Sequence, residues 1–114
     1  MTGVQTCALP ICVRASLFYG TALSLNVEFG APVKADHLRE HLRQSPGLLV
    51  LDEPAEQTYP TPADALAHEA TCVGRIRQLE GLSVVDIWVT IDNTRKGAAI
   101  NAVQIAEVLV RDFL

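Results

Sequence analysis

Positive charge is in short supply: 9 Lys and Arg stand against 13 Asp and Glu in 114 residues, a net charge of −4. That balance gives nucleic acid or an anionic membrane surface no electrostatic hold. No apolar run approaches the roughly 20 residues a membrane-spanning helix needs. Cysteine is scarce as well, and three is an odd number without a regular framework, which points to a reducing, cytoplasmic setting. What is present suits a single soluble globular domain, with 49% apolar and 19% charged residues and enough length for one core.

The opening stretch "MTGVQTCALPIC" stands apart from the rest of the chain. It has no Lys or Arg ahead of its apolar run and Pro10 inside it, so it does not read as a secretory signal. Cys7 and Cys12 lack the further Cys or His ligands that a zinc site requires. "TGVQTCALPI" does read as the frame translation of a common sequencing-library adaptor. Residues 1–11 are therefore expected to be an assembly artefact, with the native frame starting near Cys12 in what would be a C-terminal piece of a longer protein.

From Arg14 to Phe29 the chain reads as extended, with Leu23, Leu25, Val27 and Phe29 alternating with Ser24, Asn26 and Glu28. Gly20 is expected to interrupt that run. "PVKADHLREHLRQSPG" reads as a short amphipathic helix with Leu38 and Leu42 on one face, stopped by Pro46 and Gly47. "LLVLD" reads as a brief strand, and "EPAEQTYPTPADALAHE" as a connection held extended by Pro60 and Pro62. Strands come next at "ATCVGRIRQL" and "SVVDIWVTID", and then a helix from residue 93 to 114 capped by Asn93 or Thr94. The order β-β-α-β-β-β-α implies an α+β fold, a mostly antiparallel or mixed sheet with helices on one face.

Four signals bear on chemistry. "HLREH" places His37 and His41 at the spacing of H-x-x-E-H, but no third ligand is identifiable, and a solvated helix face explains it better. His68 beside Glu69 reads as a loop histidine. Cys72 sits in a strand with nothing basic adjacent, so packing rather than nucleophilic chemistry is expected. "DNTRKGAA" joins a strand end to the last helix, with Arg95, Lys96 and Gly97. It reads either as an anion-binding helix start or, more simply, as a cap with a small-residue packing face.

"FYG", "NVEF", "YPTP", "VGRIR" and "DNTRKGAAINAVQIAEVL" together resemble the C-terminal part of aspartate-semialdehyde dehydrogenases, from Arg14 to Leu114. The resemblance implies a cytoplasmic oxidoreductase of amino-acid biosynthesis that uses NADP and works as a homodimer. It also implies the C-terminal part of a glyceraldehyde-phosphate-dehydrogenase-like catalytic and dimerisation domain at 12–92, and a closing helix at 93–114 that packs on a nucleotide-binding domain. Arg14 occupies the place of the arginine that binds the substrate carboxylate, and Asn93 that of the residue at the NADP end of the site. Thr21 stands where the family has its acid/base histidine, so no catalytic residue is assigned within the chain. The resemblance implies that the nucleophilic cysteine and the Gly-rich nucleotide loop lie upstream of Val13, and that the chain alone does not catalyse. A non-catalytic paralogue that keeps the fold for dimerisation or binding is the alternative.

Overall fold

The computed structural model describes residues 8–114. β1 (Ala8–Ala15) and β2 (Thr21–Phe29) form an antiparallel pair in which Ala15 faces Ala22 and Ala8 faces Phe29. Residues 8–11, inside the stretch expected to be adaptor-derived, belong to this strand. β2 pairs antiparallel with β5 (Val84–Ile91), and β5 with β4 (Thr71–Gln78). β4 pairs in parallel with the short β3 (Leu48–Val50), giving one mixed sheet in the order β1-β2-β5-β4-β3.

The period-two patterns decide which face is core. Leu23, Leu25 and Phe29 of β2 share a face with Val85 and Val89 of β5 and Val73 of β4. α1 (Ala35–Arg43) lays Leu38 and Leu42 against that cluster. Val73, Val85 and Val89 are buried in this cluster, each such side chain worth roughly 1.5–3 kcal/mol, while the leucines and Phe29 around them are partly buried.

Helices lie on both faces rather than on one. Cys72 and Thr90 form the cross-strand pair next to Val73 and Val89, so they point the opposite way. On that side Thr90 Oγ1 donates to the Thr61 carbonyl (3.3 Å) and Trp88 Nε1 to the Pro60 carbonyl (3.0 Å). The connection expected to be extended contains a 3-10 turn (Pro54–Glu56) and a helix, α2 (Pro62–Ala67). A capping box explains it: the Asp64 N–H donates to Thr61 Oγ1, and Asp64 Oδ2 accepts from the Thr61 N–H at 2.7 Å. Pro62 lies at the start of that helix, where its missing N–H costs nothing. The Thr61 hydroxyl and N–H together hold the Asp64 carboxyl below the ordinary aspartate range.

β4 breaks register between Gly74 and Arg77, and Arg75 takes a left-handed φ of 50° at this bulge. Gly74 is required because a methyl group there would overlap the Leu51 carbonyl oxygen and the Pro60 ring. Gly74→Ala should lower the unfolding free energy by about 2–3 kcal/mol, seen as a lower urea midpoint at constant slope. An unchanged midpoint would show that both the Leu51 carbonyl and the Pro60 ring can move aside freely.

Asp52, 3% exposed, joins three elements at this point. It accepts from Arg39 Nε of α1 at 2.7 Å, from the Arg75 N–H at 2.8 Å and from the Ile76 N–H at 3.3 Å. Arg39 also donates to the Ile76 carbonyl (3.2 Å) and pairs with Asp36 (2.6 Å). Burial alone would lower the Arg39 pKa; the hydrogen bonds to Asp52 and Asp36 outweigh it and hold the guanidinium above its ordinary value.

α3 (Ala99–Phe113) starts later than the sequence pattern implies, and its N-cap is Ala98, with no side-chain cap. Residues 93–98 are turns, because the Asp92 side chain takes over the capping role at the strand end. Val103, Ile105, Leu109, Val110 and Phe113 of α3 are exposed. No helix among the described residues is long and apolar enough to cross a membrane.

Candidate active site

Three residues singled out in the sequence gather at one end of the sheet. Arg14 lies near the end of β1 opposite Leu23, and Thr21 begins β2 opposite Ile91. Arg14 Nη2 donates to Thr21 Oγ1 at 3.3 Å. Asn93 follows Ile91 by two positions, so the turn that carries it leaves the sheet beside Thr21.

That turn is built on Asp92, which is 3% exposed. Its Oδ1 accepts from the Thr94 N–H at 2.9 Å and the Thr94 hydroxyl at 2.6 Å, while its carbonyl accepts from the Gly97 N–H at 3.0 Å. The Thr94 hydroxyl, followed by the backbone N–H groups of Thr94 and Arg95, holds the Asp92 carboxyl below the usual range. Gly97 is needed for the tight return, since a Cβ there would stand 2.9 Å from Asn93 Cα. The Asn93 side chain is left exposed, with its amide making no side-chain hydrogen bond among the described residues.

The anion-binding reading of this segment is weakened by where its cations go. Arg95 pairs with Glu69, and Lys96, buried, donates to Gln104 of α3. The free backbone donors of a helix start belong to residues after Ala98, because α3 begins at Ala99. The packing reading therefore accounts for Arg95, Lys96 and Gly97, and the Asn93 side chain is exposed beside them.

The remaining signals lie elsewhere. His37 and His41 sit on the exposed side of α1, and no group of three His, Cys, Asp or Glu among the described residues could hold a metal. His68 is exposed at the end of α2. Cys72 points to the face opposite Thr21, and burial pushes its thiol pKa up, with Asp64 adding to the effect. Two groups are not evident from the sequence: the Asp52 hub and the pairing of "YPTP" with "VGRIR". An Asp ending an apolar strand, as in "LLVLD", is the available signal for the first.

The sequence pattern described as "Semialdehyde dehydrogenase, dimerisation domain" matches residues 2–96. The chain belongs to this family. The aspartate-semialdehyde dehydrogenase of Aquifex aeolicus is 44% identical over 107 residues, covering 90% of this chain and 31% of that protein. That of Legionella pneumophila is 42% identical, covering 92% and 31%. The crystal structure of aspartate semialdehyde dehydrogenase II from Vibrio cholerae, which has also been solved in complex with ASA, aligns at a TM-score of 0.73 and 41% identity over 86% of this chain and 29% of its own. The Candida albicans enzyme, solved with NADP, shares the fold at a TM-score of 0.60 and 23% identity, covering 79% and 29%. The chain thus spans about a third of the length of these relatives. α3 lies beyond the matched pattern, which ends at Lys96.

Proposed function

We propose that the chain is the C-terminal part of an NADP-dependent aspartate-semialdehyde dehydrogenase, a cytoplasmic homodimer that reductively dephosphorylates aspartyl phosphate, and that the part is inactive by itself. The observation that carries this reading is the convergence of Arg14, Thr21 and the Asn93 turn at one end of the sheet. Arg14 binds the substrate carboxylate through its planar guanidinium, which suits a bidentate contact. Asn93 meets the cofactor, and its exposed amide fits that role because it can both donate and accept. NADP supplies hydride chemistry when bound. Thr21 has a neutral hydroxyl where an imidazole would exchange protons, so acid/base assistance from this position is lost.

The exposed apolar side of α3 packs on a nucleotide-binding domain in this reading. Residues 1–11 are adaptor-derived, which sequencing the source locus from outside the adaptor tests. In the longer parent, Asn93→Ala should raise KM for NADP about tenfold with KM for the semialdehyde unchanged. Arg14→Ala should raise KM for the semialdehyde ten- to a hundredfold, the loss of one charge-assisted contact. Equal effects of both variants on both ligands would contradict the assignment.

A second reading rests on Thr21 itself: a paralogue that binds the same ligands through Arg14 and Asn93 without turnover. Saturable NADP binding together with no detectable NADPH formation from semialdehyde and phosphate would favour it.

A further inference from the structure

The motifs "YPTP" and "VGRIR" serve no part of the site above, yet the fold brings them together at the other end of β4. Arg77 faces Asp86 there, four positions along β5 from Thr90, or roughly 13 Å at the rise of a strand. Tyr59, Arg75 and Arg77, with Asp52, Thr58 and Ile76, line a cleft of about 500 Å³. The Arg75 guanidinium lies over the Tyr59 ring at 4.4 Å from its centroid. A second hollow of about 290 Å³ shares Tyr59 and Arg75 with it and is also lined by Trp88 and Pro60.

Two properties set this cleft apart. Among the described residues, only Gln57 and Arg75 are non-glycine residues with positive φ (54° and 50°), and both line it. Such conformations cost on the order of 1–3 kcal/mol and persist only where surrounding contacts over-determine them. At Arg75 those contacts are the N–H bonds of Arg75 and Ile76 to Asp52. The second property is charge. Asp52 is already engaged by Arg39, and neither Arg75 nor Arg77 forms a salt bridge among the described residues, although Asp86 is the cross-strand neighbour of Arg77. The cleft therefore presents two guanidinium groups without a carboxylate partner on a chain whose net charge is −4.

We propose that the Tyr59–Arg75–Arg77 cleft binds a small oxyanion ligand, carboxylate or phosphate, with the Asp52-held bulge fixing Arg75 on the Tyr59 ring to receive it. Planar guanidinium groups recognise both chemistries in the same bidentate manner. This inference is independent of the roles of Arg14 and Asn93.

Trp88 is the single tryptophan, and it lines the adjoining hollow beside Arg75, so its fluorescence reports on the cleft. The chain is titrated with sodium phosphate and, separately, with sodium malonate, holding ionic strength constant with sodium chloride. A saturable change with at least one of the two ions is expected, and the ion that saturates identifies the chemistry. Arg77→Gln, at an exposed position, should weaken that binding at least tenfold. Arg75→Gly, which suits the left-handed backbone, should do the same while circular dichroism verifies the fold. Equal, non-saturating responses to both ions and to chloride would overturn the proposal, as would saturation unaffected by either variant.

Discussion

Asp52→Ala should lower the unfolding free energy by about 3–5 kcal/mol, enough to remove the cooperative urea transition from a domain of ordinary stability. The side chain accepts from three donors and is almost fully buried. Its removal leaves the Arg39 guanidinium, 13% exposed, with the solvent-exposed Asp36 as its one remaining carboxylate and the Ile76 carbonyl as its other partner, and leaves the Arg75 and Ile76 N–H groups without their Asp52 acceptor. An uncompensated buried charge is worse than the absence of the pair. The double variant Asp52→Ala with Arg39→Met should therefore recover part of the loss, by roughly 1–3 kcal/mol, because it removes the stranded charge. If Asp52→Ala unfolds within about 1 kcal/mol of the parent sequence, the hub does not hold the bulge.

On the proposed reading, in which this chain is part of a longer enzyme with a nucleophile and a nucleotide loop, Thr21→His in that enzyme should raise kcat by about a hundredfold to ten-thousandfold. The position is half-buried, at the start of β2, with the Arg14 guanidinium in reach of the present side chain. A cation that close disfavours the imidazolium form, so an imidazole introduced there would be largely neutral at pH 7 and able to accept a proton. The pH profile of the variant should gain an ionisation near or below the ordinary histidine value of about 6.5. Unchanged turnover, with NADP and substrate still bound, would assign the chain to the non-catalytic reading.

The elements legible in the sequence are those whose pattern repeats. Leu23 to Phe29 and Val85 to Val89 alternate because one face of the sheet is core, and Leu38 and Leu42 recur at helical spacing for the same reason. α2 is hidden because it is only six residues long and depends on a single capping box at Thr61 and Asp64, inside a stretch dominated by proline. The late start of α3 is hidden for a related reason. Helical propensity runs back to Asn93, but Asp92 binds Thr94 locally and the turn wins.

At the candidate site, Arg14, Thr21 and Asn93 can be named from motifs, while their convergence follows from strand register alone. The engagement of Arg95 and Lys96 by Glu69 and Gln104 is not readable, since nothing in the local pattern marks those partners. The Tyr59–Arg75 stack is out of reach as well, because it depends on a bulge that adds no recognisable residue pattern.

In the proposed reading, one end of this sheet joins the substrate side to the cofactor side of a single site. A crystal structure of the longer parent grown with NADP and aspartate semialdehyde would decide it. The expected result is the Arg14 guanidinium on the substrate carboxylate and the Asn93 amide hydrogen-bonded to the cofactor, with Thr21 between them. Ligands bound elsewhere, with Arg14 still on Thr21 and Asn93 facing solvent, would contradict it.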